Sequence, residues 1–446
     1  MATKVRSTLT EGRVGAHLVK LTVPMIWGVF AIIAFNLADT YFVGQLGTQP
    51  LAAMSFTFPV VSALGSLAMG LGVGASSIIA RAIGEGDRAR VQRLTTDSLT
   101  LALLIVGAFI LVGVNTIDPL FTALGADSQT LPLVRDYMQI WYLGIIFLVV
   151  PMVGTSAMRA AGNTTVPSAI MTIAAAINIT LDPLFILGWG GFPRLELQGA
   201  AIATVLSRAT TFVAALLFLH FRERMLCFNL PPFKVVLKSW RQILHVGLPA
   251  AGTSLVTPIS IGFITSLMAS YGAVAVAGFG IASRVEAFSL IVLLALSSII
   301  GPFVGQNWGA QKYDRVYRAL NLSFIFCVVW GIFVAVVLLV AAPGLAAQFD
   351  DNPEVVAIAV NYLWVVPFSY GAAGIILIAS STFNALGKPL PSVIMTLSRM
   401  FGLYIPLAYI GSWLFGVRGV FWAAGLANLI VGIGAYLWNQ RTCHKH

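Results

Sequence analysis

Charge is what this sequence has least of. Asp, Glu, Lys and Arg together make 9% of its 446 residues, against 58% hydrophobic. So few charges cannot cover a surface that faces water on all sides, which excludes a water-soluble globule. Acid is scarcer than base, 16 against 26, leaving a net charge of +10. Cysteine is nearly absent: Cys227, Cys327 and Cys443 have no metal-ligand spacing, so neither a disulfide framework nor a thiolate site is expected. The five histidines, His17, His220, His245, His444 and His446, lie near span ends or in the tail, and none is given a proton-relay role. "GLGVGA" at 70–75 sits inside an apolar run with no strand before it. It reads as close helix packing rather than a phosphate loop, and no cofactor is expected. Residues 1–19 are polar and carry Lys4, Arg6 and Arg13, unlike a signal peptide.

What is there is apolar length. Twelve apolar runs are centred near residues 30, 67, 103, 145, 176, 210, 256, 290, 328, 368, 402 and 430, each about 20 residues or longer. They are too long for the ~10-residue alternating strands of an outer-membrane barrel. The expected fold class is all-α, a polytopic membrane protein with 12 transmembrane helices. Lys and Arg fall in alternate loops, except Arg135, Arg194 and Arg418 in the opposite loops and Arg208, Arg284 and Arg399 within spans. The positive-inside rule then places both termini in the cytoplasm, in a bacterial-type inner membrane. Topology accounts for the net charge, so the lipid bilayer is an expected partner and nucleic acid is not.

Sliding the chain over itself by 225 residues reveals a repeat. Pro24 falls on Pro249, Gly47 on Gly272, Gly84 on Gly309 and Arg90 on Arg315. After a one-residue shift "PSAIMTI" from Pro167 meets "PSVIMTL" from Pro391. Two pseudo-symmetric six-helix lobes around a central cavity are expected: residues 1–220, a cytoplasmic linker at 221–241, and 242–446 with a short tail. Six spans per repeat make the repeats parallel, related by an axis near the membrane normal.

Only three acids fall within spans: Asp39, Asp182 and Glu286. An ionised carboxylate in hydrocarbon costs several kcal/mol, so it marks an ion or substrate path. Asp39 aligns with Ile264 and Asp182 with Pro406, so these acids are additions to one lobe rather than shared scaffold. Asn178 precedes Asp182 by one turn on the same face, and Pro183 removes a backbone donor there. Thr204 opens the sixth span, whose counterpart "GVFWAAG" has no polar group at that place. Taken alone, Asn178 and Thr204 also suit helix-packing hydrogen bonds. Glu286, with Arg284 nearby, and Asn36 are candidates for substrate contact or for a structural pair. Arg208 and Arg399 read first as packing or snorkelling residues. Pro24 is a candidate hinge of the first helix.

The first-span "NLADTYFVGQLG", the fifth-span "NITLDPLF" and "GAAIAT" opening the sixth, within two even lobes, resemble the multidrug and toxic compound extrusion family. They are most similar to its prokaryotic branch typified by the DNA-damage-inducible F protein. The resemblance implies a cation site at Asp39, Asn178 and Asp182, with Thr204 close by. It also implies a secondary antiporter, monomeric, exporting drugs or toxic organic cations by alternating access in exchange for protons. Sodium is the alternative ion, held by the oxygens of the same four residues. Two other readings stand beside it. A lipid-linked precursor flippase would need a basic cavity, and an intramembrane hydrolase would need a nucleophile or metal constellation; neither is visible.

Overall fold

The computed structural model describes residues 9–227 and 232–443. Lys4, Arg6, His444 and His446 lie outside the described residues. Among those described there is no strand, and the helices supply twelve spans. The first lobe holds α1 (Val14–Gly44), α2 (Thr48–Glu85), α3 (Arg88–Ala123), α4 (Thr130–Gly144 and Ile146–Ala160), α5 (Thr165–Leu187) and α6 (Glu196–Leu217, continued by Phe218–Arg222). The second holds α7 (Phe233–Ala269), α8 (Ala273–Ser289 and Ile291–Gly309), α9 (Tyr313–Ala346), α10 (Pro353–Ala385), α11 (Leu390–Phe415) and α12 (Val417–Cys443). Every sequence-derived centre falls within its helix or at a break inside it.

Four spans are interrupted. The two parts of α4 meet at a 41° bend, α8 breaks at Leu290, α10 tightens into a 3-10 turn over Val366–Ser369, and α11 widens into a π-helical stretch over Ser398–Tyr404. A π segment leaves carbonyls out of the regular ladder and re-aims side chains, which is why such stretches gather at functional positions. Helix α7 begins at Phe233, inside the stretch expected as linker, so the linker proper is shorter than 221–241.

The repeat is geometrical as well as textual. Gly47 and Gly272 precede α2 and α8 with φ of +107° and +97°, a region that favours glycine. The turn after α2 places Gly86 at φ +79°, and its counterpart Gln311 takes the same left-handed region at +57°. Gln311 bears a Cβ, which costs roughly 1–2 kcal/mol there, so the turn is imposed by its lobe rather than by local preference.

By contacts the chain divides into two compact units that do not follow the expected boundaries. One comprises residues 23–251, the other residues 7–22 with 252–446. The first helix of each lobe thus starts in one unit and ends in the other. The lead-in to α1 is fastened to the second unit by Arg315, whose guanidinium donates to the carbonyls of Leu9, Glu11 and Gly12 at 3.0, 3.1 and 2.7 Å. Lys312 adds a bond to the Thr10 carbonyl at 2.9 Å. Correspondingly, the start of α7 belongs to the first unit: Trp240 donates to the Asp97 carbonyl at 2.9 Å, and Ile243 lies in that unit's apolar core. Both handovers occur beside a repeat-related proline, Pro24 in α1 and Pro249 in α7.

The "GLGVGA" run lies inside α2 and does pack helices. A Cβ on Gly74 would stand 2.4 Å from the Ile243 carbonyl oxygen, and one on Gly70 2.3 Å from that of Gly247. Backbone cannot move aside as a side chain can, and overpacking costs ~1–3 kcal/mol or more. Gly74→Leu is therefore expected to lower the apparent melting temperature of the detergent-solubilised protein. Gly65→Ala, whose Cβ would meet nothing within 4 Å, is expected to leave it unchanged; equal melting of the two variants would contradict this packing account.

Candidate functional site

The apolar sides of α4, α5 and α6 bury a polar group set that no lipid-facing helix would tolerate. Asn178 and Asp182 of α5 are fully buried, at 0% exposure, and Asp39 of α1 and Thr204 of α6 are buried as well. The one-turn spacing on α5 does what the sequence requires: Asn178 Nδ2 donates to Asp182 Oδ1 at 3.2 Å. Pro183 follows directly within the helix. Asp39 and Asp182 are close enough to act on one another electrostatically.

Three oxygens of this group have no hydrogen-bond partner: Asp39 Oδ1, Asn178 Oδ1 and Asp182 Oδ2. Buried polar atoms are normally paired, and an unmade bond costs about 1–3 kcal/mol. All three are acceptors, so the group is suited to take up a positive ligand: a proton shared by the carboxylates, or a hard cation such as sodium held by oxygen. Thr204 is buried on α6, but no hydrogen bond joins its hydroxyl to the trio; Ser207 donates to its carbonyl at 2.9 Å. Among the described residues no group of three His, Cys, Asp or Glu has metal-site geometry.

Two further residues belong here that the sequence reading did not include. Tyr137 of α4 is buried, and it and Arg208 of α6 lie within electrostatic reach of Asp39. Both had a signal: Arg208 follows Thr204 by one turn, and Tyr137 aligns with Tyr362 in the repeat.

The other candidates behave differently. Asn36 is exposed on α1, and its carbonyl accepts from the Thr40 hydroxyl at 2.9 Å. Glu286 does not pair with Arg284. Arg284 is exposed and makes no ion pair, whereas Glu286 Oε2 accepts from the Tyr362 hydroxyl at 2.5 Å. Two residues apart on a helix, Glu286 and Arg284 point to different sides. Arg399 lies within electrostatic reach of Glu286 and donates to Asn428 Oδ1 at 3.2 Å. Pro24 lies inside an unbroken α1.

With this geometry in place, the comparison with known proteins is decisive. The family model MatE matches residues 24–184 and again residues 249–410, beginning at the two repeat-related prolines. The chain belongs to the MatE family. A FAD transporter of Shewanella oneidensis is 39% identical over 443 residues, spanning 99% of this MatE chain and 97% of the relative. The multidrug export protein MepA of Staphylococcus aureus is 25% identical over 425 residues, 94% and 92% of the two chains. Among solved structures, the Vibrio cholerae MATE transporter VcmN matches in an aspartate-to-asparagine mutant form with a TM-score of 0.92 at 29% identity, covering 97% of this chain and 98% of that one. It also matches in its bent form with a TM-score of 0.90 at 30% identity, covering 97% of each. The two-lobe, twelve-span all-α fold of this MatE chain is that of MATE transporters, and the relatives named here move small molecules across membranes.

The α5 pair separates the roles of its members. Asp182→Asn removes an exchangeable charge, while Asn178→Ala removes one 3.2 Å donor that orients it. Transport assayed in cells is expected to fall at least tenfold for Asp182→Asn and only a few fold for Asn178→Ala at equal protein level. Equal loss in both would show that Asn178 is as essential to transport as the aspartate and does more than orient it.

Proposed function

We propose that this chain is a secondary active exporter of small organic molecules, driven by inward movement of a cation through the first-lobe cluster. The observation that carries the reading is the set of three buried, unpartnered acceptor oxygens on Asp39, Asn178 and Asp182. At the aligned positions the second lobe has Ile264, which is fully buried, and Pro406. A cation bound between the carboxylates favours the conformation that buries it, and an outgoing substrate favours another. The gradient then does work through differential affinity for two states. A proton is the preferred ion because two neighbouring buried carboxylates share one readily; sodium is the alternative on the same oxygens. The expected cargo is a cationic or amphiphilic drug, received by carboxylate and by apolar walls that repack around varied shapes.

A second cargo reading has a specific support. The Shewanella oneidensis relative, 39% identical over nearly the whole chain, is a FAD transporter. FAD carries a pyrophosphate, so it would be held by cationic or donor groups, not by the acidic cluster, and the cluster would retain only its ion-coupling role. Transport by the purified chain in proteoliposomes separates the two: ethidium and FAD are supplied in turn, with proton and sodium gradients imposed one at a time. Asp39→Asn is expected to abolish gradient-driven efflux of whichever cargo moves, because the amide keeps the volume and loses the charge. A well-folded Asn variant with wild-type efflux would falsify the coupling role of Asp39.

Pro24 gives this reading a mechanical element. Its ring removes the N–H that would bond the Lys20 carbonyl, and the handover of α1 between units falls between Thr22 and Val23. Fifteen residues of helix, about 22 Å, separate Pro24 from Asp39. Pro24→Ala is expected to slow efflux severalfold while leaving the melting temperature unchanged or raised. Unaltered efflux at equal protein level would remove the hinge from the cycle.

A further inference from the structure

The first-lobe cluster holds a cation that no carboxylate claims. Arg208 of α6 is half-buried among the helices that carry Asp39, Tyr137 and Asp182. Among the described residues the ion pairs are Arg90 with Glu85, Arg135 with Asp118 and Arg194 with Glu196. Arg208 is in none of them; its carbonyl accepts from the Thr211 hydroxyl at 2.6 Å, but no hydrogen bond engages its guanidinium. Its guanidinium carbon instead lies 5.9 Å from the centre of the Phe35 ring. Phe35 precedes Asp39 by four residues on α1, so the ring seat and the carboxylate follow one another along a single helix face, about 6 Å apart in rise. Asp39 Oδ1 meanwhile has no partner. A half-buried guanidinium thus rests on a ring one turn from a buried carboxylate with a free oxygen, within electrostatic reach of it but in no ion pair with it.

The repeat adds an independent observation. Gly199 and Gly419 occupy matching tight crossings: a Cβ on the first would stand 2.3 Å from the Phe185 carbonyl oxygen, and one on the second 1.9 Å from that of Gly411. With those glycines in register, Arg208 aligns with Asn428 as Asp39 aligns with Ile264. The second lobe therefore lacks both the carboxylate of Asp39 and the guanidinium of Arg208 at the matching positions.

We propose that Arg208 is a tethered counter-cation: its guanidinium and the coupling ion alternate at Asp39, so the first-lobe cluster exchanges one positive charge per cycle. The proposal rests on the ion-coupling role of Asp39 given above. The charged groups presented to the cluster are Asp39 from α1, Asp182 from α5 and Arg208 from α6, with the Tyr137 hydroxyl from α4 neutral. Two carboxylates and one guanidinium leave one negative charge uncompensated, which one monovalent cation neutralises. With the ion bound, Arg208 rests on Phe35. When the ion departs, the guanidinium swings onto the Asp39 carboxylate, so ion release leaves one uncompensated carboxylate, Asp182, instead of two bare ones in low dielectric.

The test uses the full chain in proteoliposomes, with ethidium or FAD as cargo, whichever the wild type moves. The half-saturating concentration of the coupling cation is read from efflux at varied pH and varied sodium. Arg208→Gln is expected to lower that concentration about tenfold or more, the size set by deleting one unit charge about a helical turn away at an effective dielectric constant near 20. Gradient-driven turnover should fall because the ion leaves slowly, whereas cargo-for-cargo exchange, which needs no ion release, should persist and report an intact fold. Arg208→Lys keeps the tethered charge and should stay within about threefold of wild type on the scale where tenfold is about 1.4 kcal/mol. Phe35→Leu removes the ring seat and should shift the half-saturating concentration the other way, upward. An unchanged value in Arg208→Gln with exchange intact, or a Lys variant as altered as the Gln variant, overturns the proposal. If Arg208→Gln does not fold, Phe35→Leu decides, and an unchanged value there overturns it equally. The two readings fail differently. Wild-type efflux by Asp39→Asn removes the coupling site itself, whereas an inactive Asp39→Asn beside an Arg208→Gln of wild-type cation affinity removes only the tether.

Discussion

The cost of an uncompensated charge away from water orders this molecule. An ionised carboxylate among apolar helices must be neutralised, paired or hydrated, and Asp39 and Asp182 are given only part of what they need. Asp182 receives one donor, from Asn178, and keeps an oxygen without a partner; Asp39 keeps one too. A scaffold selected for stability alone would have filled these positions with apolar groups, as the aligned Ile264 in the second lobe is filled. The cluster gathers three such unpaired acceptors on Asp39, Asn178 and Asp182, a deficit that a positive ligand can make good.

The two lobes share a frame and differ in the polarity they leave unsatisfied. Tyr137 and Tyr362 occupy equivalent positions and are both buried, but their surroundings have diverged. In the first lobe the orphaned atoms around the acids are acceptors. In the second, Glu286 is met by the Tyr362 hydroxyl, and the atoms near it without partners are donors, Tyr370 OH and Arg399 Nε. Arg399 and Tyr404 sit on the π-helical stretch of α11, the counterpart of the α5 segment that carries Asn178 and Asp182. Both helices carry a proline near this point, Pro183 and Pro406, but only α11 widens into a π-helical turn ahead of it.

Much of this was legible in the sequence because the decisive signals are rare events on a uniform background. An aspartate in a largely apolar 31-residue helix cannot be overlooked, and a 225-residue register that aligns Pro24 with Pro249 and Gly47 with Gly272 hardly arises by chance. Asn178 could be placed beside Asp182 because helical spacing alone brings them together. Contacts between spans were harder. Arg208 was absorbed into the packing or snorkelling reading that membrane proteins usually justify, and Tyr137 was not singled out, since nothing local says which face of α4 or α6 turns inward. Glu286 seemed to have Arg284 as its partner because they are neighbours in sequence; its actual partner, Tyr362, is 76 residues away. The compact units also escaped the sequence, because their boundaries fall inside helices, at Thr22/Val23 and Ala251/Gly252, where composition does not change.

Those boundaries bear on how occupancy of the cluster could be felt elsewhere. The start of α1 is tied to the second unit through Arg315, which takes three carbonyls of its lead-in, while the rest of the helix packs with the first unit and delivers Asp39 into the cluster. A helix resists bending except where its hydrogen bonds are already missing, and α1 lacks one at Pro24. Any change in the lower part of α1 must therefore either pass to Asp39 as a rigid displacement or be absorbed at Pro24. Conversely, a cation that fixes Asp39 against Asp182 fixes the upper part of α1 and leaves Pro24 as the point where the difference is taken up. For the proposed ion coupling, the helix that begins in one unit and carries Asp39 in the other is the shortest covalent route by which occupancy of the cluster could bias a conformation.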